Sequence, residues 1–302
     1  MARLGPTGLL VVDKPSGATS HDVVQRLRRA YATRRVGHAG TLDPLATGVL
    51  VVLFGEGTKL AGCLTLQDKT YVAGVRFGVG TDSFDSDGAV TEQCELPEGG
   101  LDPSEVERAV REEAERTRQV PPAISALRVG GERAYAAARA GRPLILEPRE
   151  VRVHHCRLLS LEPDSAEVEL CVSKGYYVRS FARDLGARLG VPAHLTSLRR
   201  TKSGAFGLDE AVTLPLPEPP PPLTTLSAAA ARALHCIRLN AAGVTHARHG
   251  RPIPRDDVLD SDWTDRDTVA LTTDAGELIG LGRIEAGALF VTRGILPSGD
   301  AA

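Results

Sequence analysis

The sequence predicts an α+β protein with a sheet-centred body and a small β-rich module behind it. Three observations predict this: strand-like and helix-like segments alternate through the first two thirds of the 302 residues, a run of prolines follows, and short strand-like runs then recur between residues 268 and 292. Consecutive prolines cannot continue a helix or a central strand and favour extended polyproline structure. We therefore expect a body over residues 1–214, a proline-rich linker over 215–222 and a module over 223–302.

The elements of the body are predicted in order from the spacing of apolar residues. Ser20 is predicted to cap the first helix, whose apolar residues form one stripe. Asp102 caps the second, with Pro103 at the first helical position. A third helix is predicted from Val178 to a stop at Gly190. The predicted strands of the body lie at residues 8–12, 50–54, 70–79, 151–158 and 166–172.

The composition excludes several classes of protein. The chain is 42% apolar and carries a net charge of -2, as an ordinary globular protein does. No apolar stretch approaches the ~20 residues of a membrane span, and the first ten residues lack a signal-peptide profile, so we expect a cytoplasmic protein that does not enter a membrane. Five scattered cysteines, without Cys-x-x-Cys or paired Cys/His spacing, predict reduced thiols and neither a zinc site nor a disulfide framework.

Positive charge is concentrated in parts of the chain. Residues 170–206 hold seven Lys/Arg against one Asp/Glu, and residues 128–157 hold seven against three. This segregation is typical of a molecule with one basic face for binding phosphates. Solvated surface without a ligand explains the charge alone equally well.

The densest motif is the glycine-rich segment at residues 37–48, which reads GHAGTLDPLATG. Glycines allow positive φ angles and close approach of a ligand, so a stiff loop here could present Asp43 to a cleft. An ordinary Asp-Pro turn before a strand is the competing interpretation, which the spacing leaves open.

This segment resembles the signature of the bacterial TruB family, the tRNA pseudouridine-55 synthases. The chain also resembles the family's other motifs, in the family's order. They are GLLVVDKPSGATSH at 8–21, KTY at 69–71, QVPPAISAL at 119–127, SKGYYVR at 173–179 and LRR at 198–200. The resemblance implies a pseudouridine-synthase-type body with a mixed, mainly antiparallel sheet and flanking helices, an RNA-binding thumb insertion at 119–150, and a PUA-like C-terminal domain.

The resemblance implies that Asp43 is the catalytic carboxylate. Pseudouridine formation breaks the C1′–N1 bond, rotates the uracil and rejoins it through C5, and a carboxylate can trap or stabilise the ribose carbon meanwhile. Arg179 matches the guanidinium that keeps this carboxylate ionised. Tyr71 matches the aromatic residue that stacks on the target base. Considered without the resemblance, Tyr71 fits a core position on its strand, and Arg179 fits an exposed helix start.

The resemblance also implies a set of RNA-binding residues. His38 matches a residue near the flipped nucleotides, and Tyr177 and Leu198 match residues that line the pocket. A structural histidine and core packing remain the alternatives for these three. Lys14 is a candidate for structural support or for a phosphate contact. The predicted insertion adds candidate phosphate contacts, among them Arg128, Arg133 and Arg142.

The implied activity is that of an isomerase acting on the T-stem-loop of tRNA. A redox-neutral isomerisation needs no cofactor, so we expect none and no metal, and we expect a monomer without an obligatory protein partner. One alternative is a tRNA-binding folding chaperone whose role does not require catalysis. Another is a subunit that depends on guide RNA and partner proteins. The implied thumb insertion and short C-terminal module favour the stand-alone enzyme.

One further motif resembles the start of a calcium-binding loop, SFDSDG at residues 83–88. The glutamate that would complete such a loop is missing, because Cys94 stands at its position. We interpret the segment as an acidic turn.

Overall fold

The computed structural model of the protein describes residues 5–125, 127–129, 132–134, 137, 142, 144–260 and 264–296. In this part of the chain, helices and strands are interspersed, and most strand pairs are antiparallel, as the predicted α+β class requires. The helices are α1 (Ser20–Ala30), α2 (Ala61–Thr65), α3 (Pro103–Glu112), α4 (Val178–Arg188), α5 (Leu226–Ala233) and α6 (Ala241–Arg248).

The strands follow the chain from β1 to β18. They are β1 (Gly8–Lys14), β2 (Val36–Ala39), β3 (Thr47–Phe54), β4 (Lys69–Phe77), β5 (Val79–Thr81), β6 (Val90–Gln93), β7 (Arg118–Gln119), β8 (Arg128–Val129), β9 (Glu132–Arg133), β10 (Arg149–Glu150), β11 (Val153–Glu162), β12 (Ser165–Val172), β13 (Ala193–Ser203), β14 (Phe206–Gly207), β15 (Cys236–Leu239), β16 (Arg266–Thr273), β17 (Leu278–Glu285) and β18 (Ala288–Gly294).

The chain forms two compact units that interleave along the sequence. Unit 1 comprises Met1–Asp43, Val49–Thr65 and Gly204–Ala302, and unit 2 comprises Pro44–Gly48 and Leu66–Ser203. The domain limits expected from the proline-rich segment and from the resemblance stay predictions.

Unit 2 is built around strand β4. This strand pairs antiparallel with β12 on one side and with β13 on the other, and β11 continues the sheet beyond β12. The side chains of Ala73, Val75 and Phe77 occupy one face of β4 and are at most 2% exposed. Helix α4 packs against β13 and ends as predicted, with Gly190 at a φ of +74° just beyond it.

Unit 1 combines the N-terminal strands with the C-terminal part of the chain. Strand β3 is hydrogen-bonded to β1 and β2, and the C-terminal sheet has the order β15-β16-β17-β18. Leu9 and Val51 belong to the same buried cluster as Leu226 and Leu281. Residues from the N-terminal and the C-terminal part of the sequence therefore share one hydrophobic core. Burial of each such side chain stabilises the fold by roughly 1.5–3 kcal/mol.

The start of helix α1 differs from the prediction. Thr19, not Ser20, is the capping residue: its hydroxyl accepts the Asp22 N–H, and the Asp22 carboxylate accepts the Thr19 N–H. This reciprocal arrangement is a capping box. Replacing such a cap residue by alanine lowers the stability of the protein by about 1 kcal/mol. Ser20 is the first helical residue, and its hydroxyl bonds to the backbone of Leu42 instead of capping the helix.

None of the helices in the described ranges is long and apolar enough to cross a bilayer. The five cysteines are all free thiols. Burial raises the pKa of the Cys156 thiol to about 12, which fits an inert structural cysteine.

Candidate active site

The loop that carries Asp43 is anchored in unit 1 by Ser20. The Ser20 hydroxyl donates to the Leu42 carbonyl oxygen at 3.2 Å and accepts the Leu42 N–H at 2.9 Å. Both residues are buried, at 2% and 4% exposure, while Asp43 is partly buried. The residue immediately before Asp43 is therefore fixed through both of its backbone polar groups. The sequence does not reveal this role, because Ser20 and Thr19 both suit a helix cap and neither points to Leu42.

We expect Ser20→Ala to slow the activity that the resemblance implies about tenfold, because the Leu42 peptide groups lose their buried partner and the Asp43 loop gains freedom. Two quantities are measured: the single-turnover rate on tRNA, the substrate that the resemblance implies, and the midpoint of thermal unfolding. Thr19→Ala is the matched control: it removes the helix cap at a similar stability cost of about 1 kcal/mol and leaves the Leu42 bonds in place. Equal rates for the two variants would contradict a role of Ser20 in holding the loop.

The far end of the glycine-rich motif is fixed within unit 2. Thr47 and Gly48 pair in parallel with Arg199 and Arg200 of β13. A Cβ atom on Gly48, whose φ is +100°, would lie 2.2 Å from the Arg200 carbonyl oxygen. Only glycine fits this position, because any side chain would push the two strands apart.

The same row of the sheet continues to Tyr71. Arg200 pairs with Gly48 on one side and with Tyr71 of β4 on the other, so the three residues cross neighbouring strands in register. Tyr71 is partly buried, whereas Ala73 and Val75 further along its face are fully buried. Because Tyr71 is partly exposed at the end of a buried face, part of its ring is accessible for stacking. A tyrosine that only filled the core would not need this exposure.

Leu198 lies on the same face of the sheet as Tyr71. It pairs with Ala73, two positions along β4 from Tyr71, and paired residues project to one face. Leu198 is 7% exposed, so its side chain packs in the sheet face whether or not it also borders the pocket.

Arg179 is buried at the start of α4, at 6% exposure, so the exposed-helix-start interpretation is wrong. Its guanidinium donates to the carbonyl oxygens of Ser83 and Ile124, each at 3.0 Å. Its Nε lies 3.5 Å from the Asp85 carboxylate, which is also buried. Asp85 in turn accepts the Ser83 hydroxyl and the Asp87 N–H. The predicted acidic turn thus holds the arginine, a role for Asp85 that the sequence did not reveal.

Two further cations lie beside Tyr71 in unit 2. Lys69 and Arg200 are 7% and 1% exposed. Burial and, to a smaller extent, the positive charge of Arg200 together lower the pKa of Lys69 to about 8, while Asp68 opposes the shift. The Lys69 ammonium donates to the Gln67 carbonyl oxygen at 2.5 Å. Positive charge near the tyrosine face suits a phosphate-bearing ligand.

The remaining predicted residues have varied surroundings. Lys14 is fully buried and its ammonium donates to the carbonyl oxygens of Ala18 at 2.6 Å and Pro15 at 2.9 Å, which favours the structural-support alternative. His38 is partly buried on β2 and pairs with Val52. Tyr177 is partly buried and directly precedes α4.

The predicted insertion is described in part. Its ends pair through β7 and β10, and β8 and β9 form a hairpin within it. Arg142 is exposed and lies 3.3 Å from Glu132. The side chains of Arg128 and Arg133 lie outside the described part of the chain, and the RNA contacts of these arginines stay predictions. No group of three or more His, Cys, Asp or Glu in the described residues could hold a metal ion; that the reaction needs none stays a prediction.

Comparisons with known proteins match nearly the whole chain. The N-terminal domain of TruB family pseudouridylate synthases matches residues 28–178, and the C-terminal domain of tRNA pseudouridylate synthase B matches residues 179–215. The tRNA pseudouridine synthase B of Mycobacteroides abscessus is 44% identical over 256 residues, covering 83% of this chain and 85% of the relative. The chain belongs to the TruB family. The proteins of the same name from Thermobifida fusca and Mycobacterium tuberculosis strain H37Rv are 44% and 43% identical, covering 82% and 91% of this TruB protein and 86% and 94% of the relatives.

Solved structures share the fold of this TruB protein. A chain in the crystal structure of a Cbf5-Nop10-Gar1 complex is 25% identical, with a TM-score of 0.74 over 96% of this chain and 85% of that one. A chain in an H/ACA RNP bound to a substrate RNA containing 2'-deoxyuridine is 24% identical, with a TM-score of 0.72 over the same shares. The pseudouridine-synthase type of body predicted from the sequence is confirmed.

Proposed function

We propose that this TruB protein isomerises the uridine at position 55 in the T-loop of tRNA to pseudouridine. In this proposal it acts in the cytoplasm as a monomer, on the T-stem-loop, without a cofactor or an obligatory protein partner. The observation that carries the proposal is the row of Gly48, Arg200 and Tyr71 in unit 2. Gly48 follows Asp43 by five residues, and neighbouring strands lie about 5 Å apart. The row therefore links the segment that follows Asp43 to β4, the strand that carries Tyr71.

In the proposed reaction, the target base is everted from the tRNA so that its sugar can reach Asp43. The C1′–N1 bond breaks and its electron pair leaves with the uracil, while the Asp43 carboxylate bonds to C1′ or stabilises it as an oxocarbenium-like centre. The uracil turns, and C5 forms the new bond to C1′ as the carboxylate leaves that carbon with its electron pair. The C5 proton then leaves to a base, and N1, which carried no proton in uridine, gains one.

The other proposed residues hold the detached base and the carboxylate. The Tyr71 ring stacks on the uracil, an interaction worth roughly 1–3 kcal/mol. Arg179, fixed by Asp85 and two carbonyl oxygens, is the proposed cation that favours the ionised form of Asp43. The meeting of Asp43 with these two residues is part of the proposal.

The proposal is tested by mapping the product. Purified protein is incubated with an unmodified tRNA transcript, and pseudouridine is located by carbodiimide labelling and primer extension. We expect one stop that reports position 55, and none with a transcript that carries cytidine there. Product at an anticodon-stem uridine or in ribosomal RNA would overturn the substrate, and absence of product on every RNA would overturn the activity.

A further inference from the structure

The side chain of Gln119 forms two hydrogen bonds with the backbone of one residue, Tyr177. The Tyr177 N–H donates to Oε1 at 2.8 Å, and Nε2 donates to the Tyr177 carbonyl oxygen at 3.1 Å. Gln119 is 2% exposed. A backbone N–H only donates and a carbonyl only accepts, so the amide has a single orientation that satisfies both.

Further bonds join the same two segments of unit 2. The carbonyl oxygen of Val120 accepts the Ser180 hydroxyl at 2.9 Å and the Arg183 guanidinium at 3.3 Å. The Ile124 carbonyl oxygen accepts the Arg179 guanidinium at 3.0 Å. We call these contacts, with those of Gln119, the insertion seam: they join the start of the predicted insertion to the start of α4.

Gln119 is the central member of the insertion seam because it bonds to the N-cap residue of α4 through both backbone polar groups. Tyr177 is the N-cap of this helix, and its carbonyl oxygen also accepts the Phe181 N–H. Tyr177 has no side-chain cap bond of its own. Gln119 therefore serves as a cap supplied from a distant segment, and any shift of Gln119 moves the first turn that carries Arg179.

We propose that Gln119 is a positioning residue for pseudouridine formation, which holds Tyr177 and Arg179 in fixed register with the RNA-gripping insertion. This inference rests on the proposed function. In this role Gln119 acts through Tyr177 and Arg179 and not on the reacting atoms. RNA bound by the insertion is thereby coupled to the position of Arg179. The coupling runs through the main chain of the insertion that follows Gln119.

The test compares two variants of the full-length protein. Gln119→Leu removes both bonds, and Gln119→Glu keeps the shape and the acceptor for the Tyr177 N–H but sets an oxygen against the Tyr177 carbonyl. We expect single-turnover rates at saturating enzyme to fall about 10- to 100-fold, the scale of a misplaced reacting group. The dissociation constant for the same tRNA is expected to change less than about threefold, within the effect of one lost neutral contact.

The matched control is Tyr176→Phe. The Tyr176 hydroxyl donates to the buried Glu113 carboxylate at 2.8 Å, next in sequence to Tyr177 but outside the insertion seam. This variant loses a buried hydrogen bond of comparable worth and is expected to keep the wild-type rate. A double variant with Arg179→Lys is expected to be no slower than Arg179→Lys alone, because Gln119 acts through that residue.

The outcomes separate the inference from the proposed function. Wild-type rates in both Gln119 variants, or a loss no larger than that of Tyr176→Phe at equal thermal midpoint, overturn the inference and leave the function standing. A loss that appears only in the dissociation constant overturns it too. A wild-type protein that forms no pseudouridine overturns both.

Discussion

Asp43→Asn is expected to bind tRNA normally and to form no pseudouridine. The substitution keeps the size and one oxygen of the side chain but removes the negative charge, so the residue can neither attack C1′ nor stabilise a positive ribose carbon. The loss of rate is expected to be at least ~10³-fold, the upper range for deleting one essential electrostatic contact. Single-turnover product formation and a filter-binding titration on the same tRNA check the two halves of this prediction.

The control for Asp43→Asn is Asp164→Asn, which also removes one carboxylate charge. Asp164 is half exposed and pairs with Arg76 at 3.1 Å, a surface ion pair of small energetic value. This variant is expected to match the wild type in both assays. A loss of rate in Asp43→Asn much smaller than about 10³-fold would contradict the assignment of the carboxylate. A variant that binds but does not modify also isolates any chaperone role that is independent of catalysis, which stays an alternative.

Arg179→Lys is expected to have the second largest effect, a loss of rate of more than about 100-fold. Three acceptors surround the guanidinium in different directions: the carbonyl oxygens of Ser83 and Ile124 and the Asp85 carboxylate. A single ammonium cannot reach all of them, because lysine lacks the planar fork of arginine. The rate assay is again single turnover.

The same substitution is expected to lower the thermal midpoint by several degrees. A buried acceptor left without its donor costs about 1–3 kcal/mol, and each kcal/mol shifts the midpoint by roughly 2–4 °C in a protein of this size. Arg157→Lys, which changes an exposed arginine paired with Glu169, is expected to alter neither quantity. An active Arg179→Lys protein would exclude a specific need for the guanidinium.

The element positions followed from local pattern, and the structure confirms them where the pattern is unambiguous. The helix predicted from Val178 is α4. The strand predicted at 70–79 is β4, which ends at Phe77. These predictions succeed because burial of one face imposes a period of 3.6 or 2 on the sequence. The same rule places Tyr71 on the buried face of β4, but not its partial exposure, which depends on what covers each end of that face.

The contacts that organise the candidate site were not predictable from local pattern. Thr19 and Ser20 are both good capping residues, and the choice between them depends on Leu42, which is 22 residues away. Asp85 lies in a segment that the sequence predicts only as an acidic turn, and its contact with Arg179 joins it to a residue 94 positions later in the chain. Such contacts arise when distant segments meet, and no periodicity in a single sequence records them. Three family motifs pointed to Asp43, Tyr71 and Arg179, but not to the residues that support them.

The pairing of β7 with β10 has a consequence for how this protein can diverge. Gln119 lies opposite Arg149, and Arg118 opposite Glu150, so the segment from 120 to 148 leaves and re-enters the body through one narrow stem. Doubling the length of a segment whose ends already meet costs only about 0.6 kcal/mol in closure entropy. Insertions, deletions and charge changes beyond the stem can therefore accumulate without disturbing the registers of β4, β12 and β13.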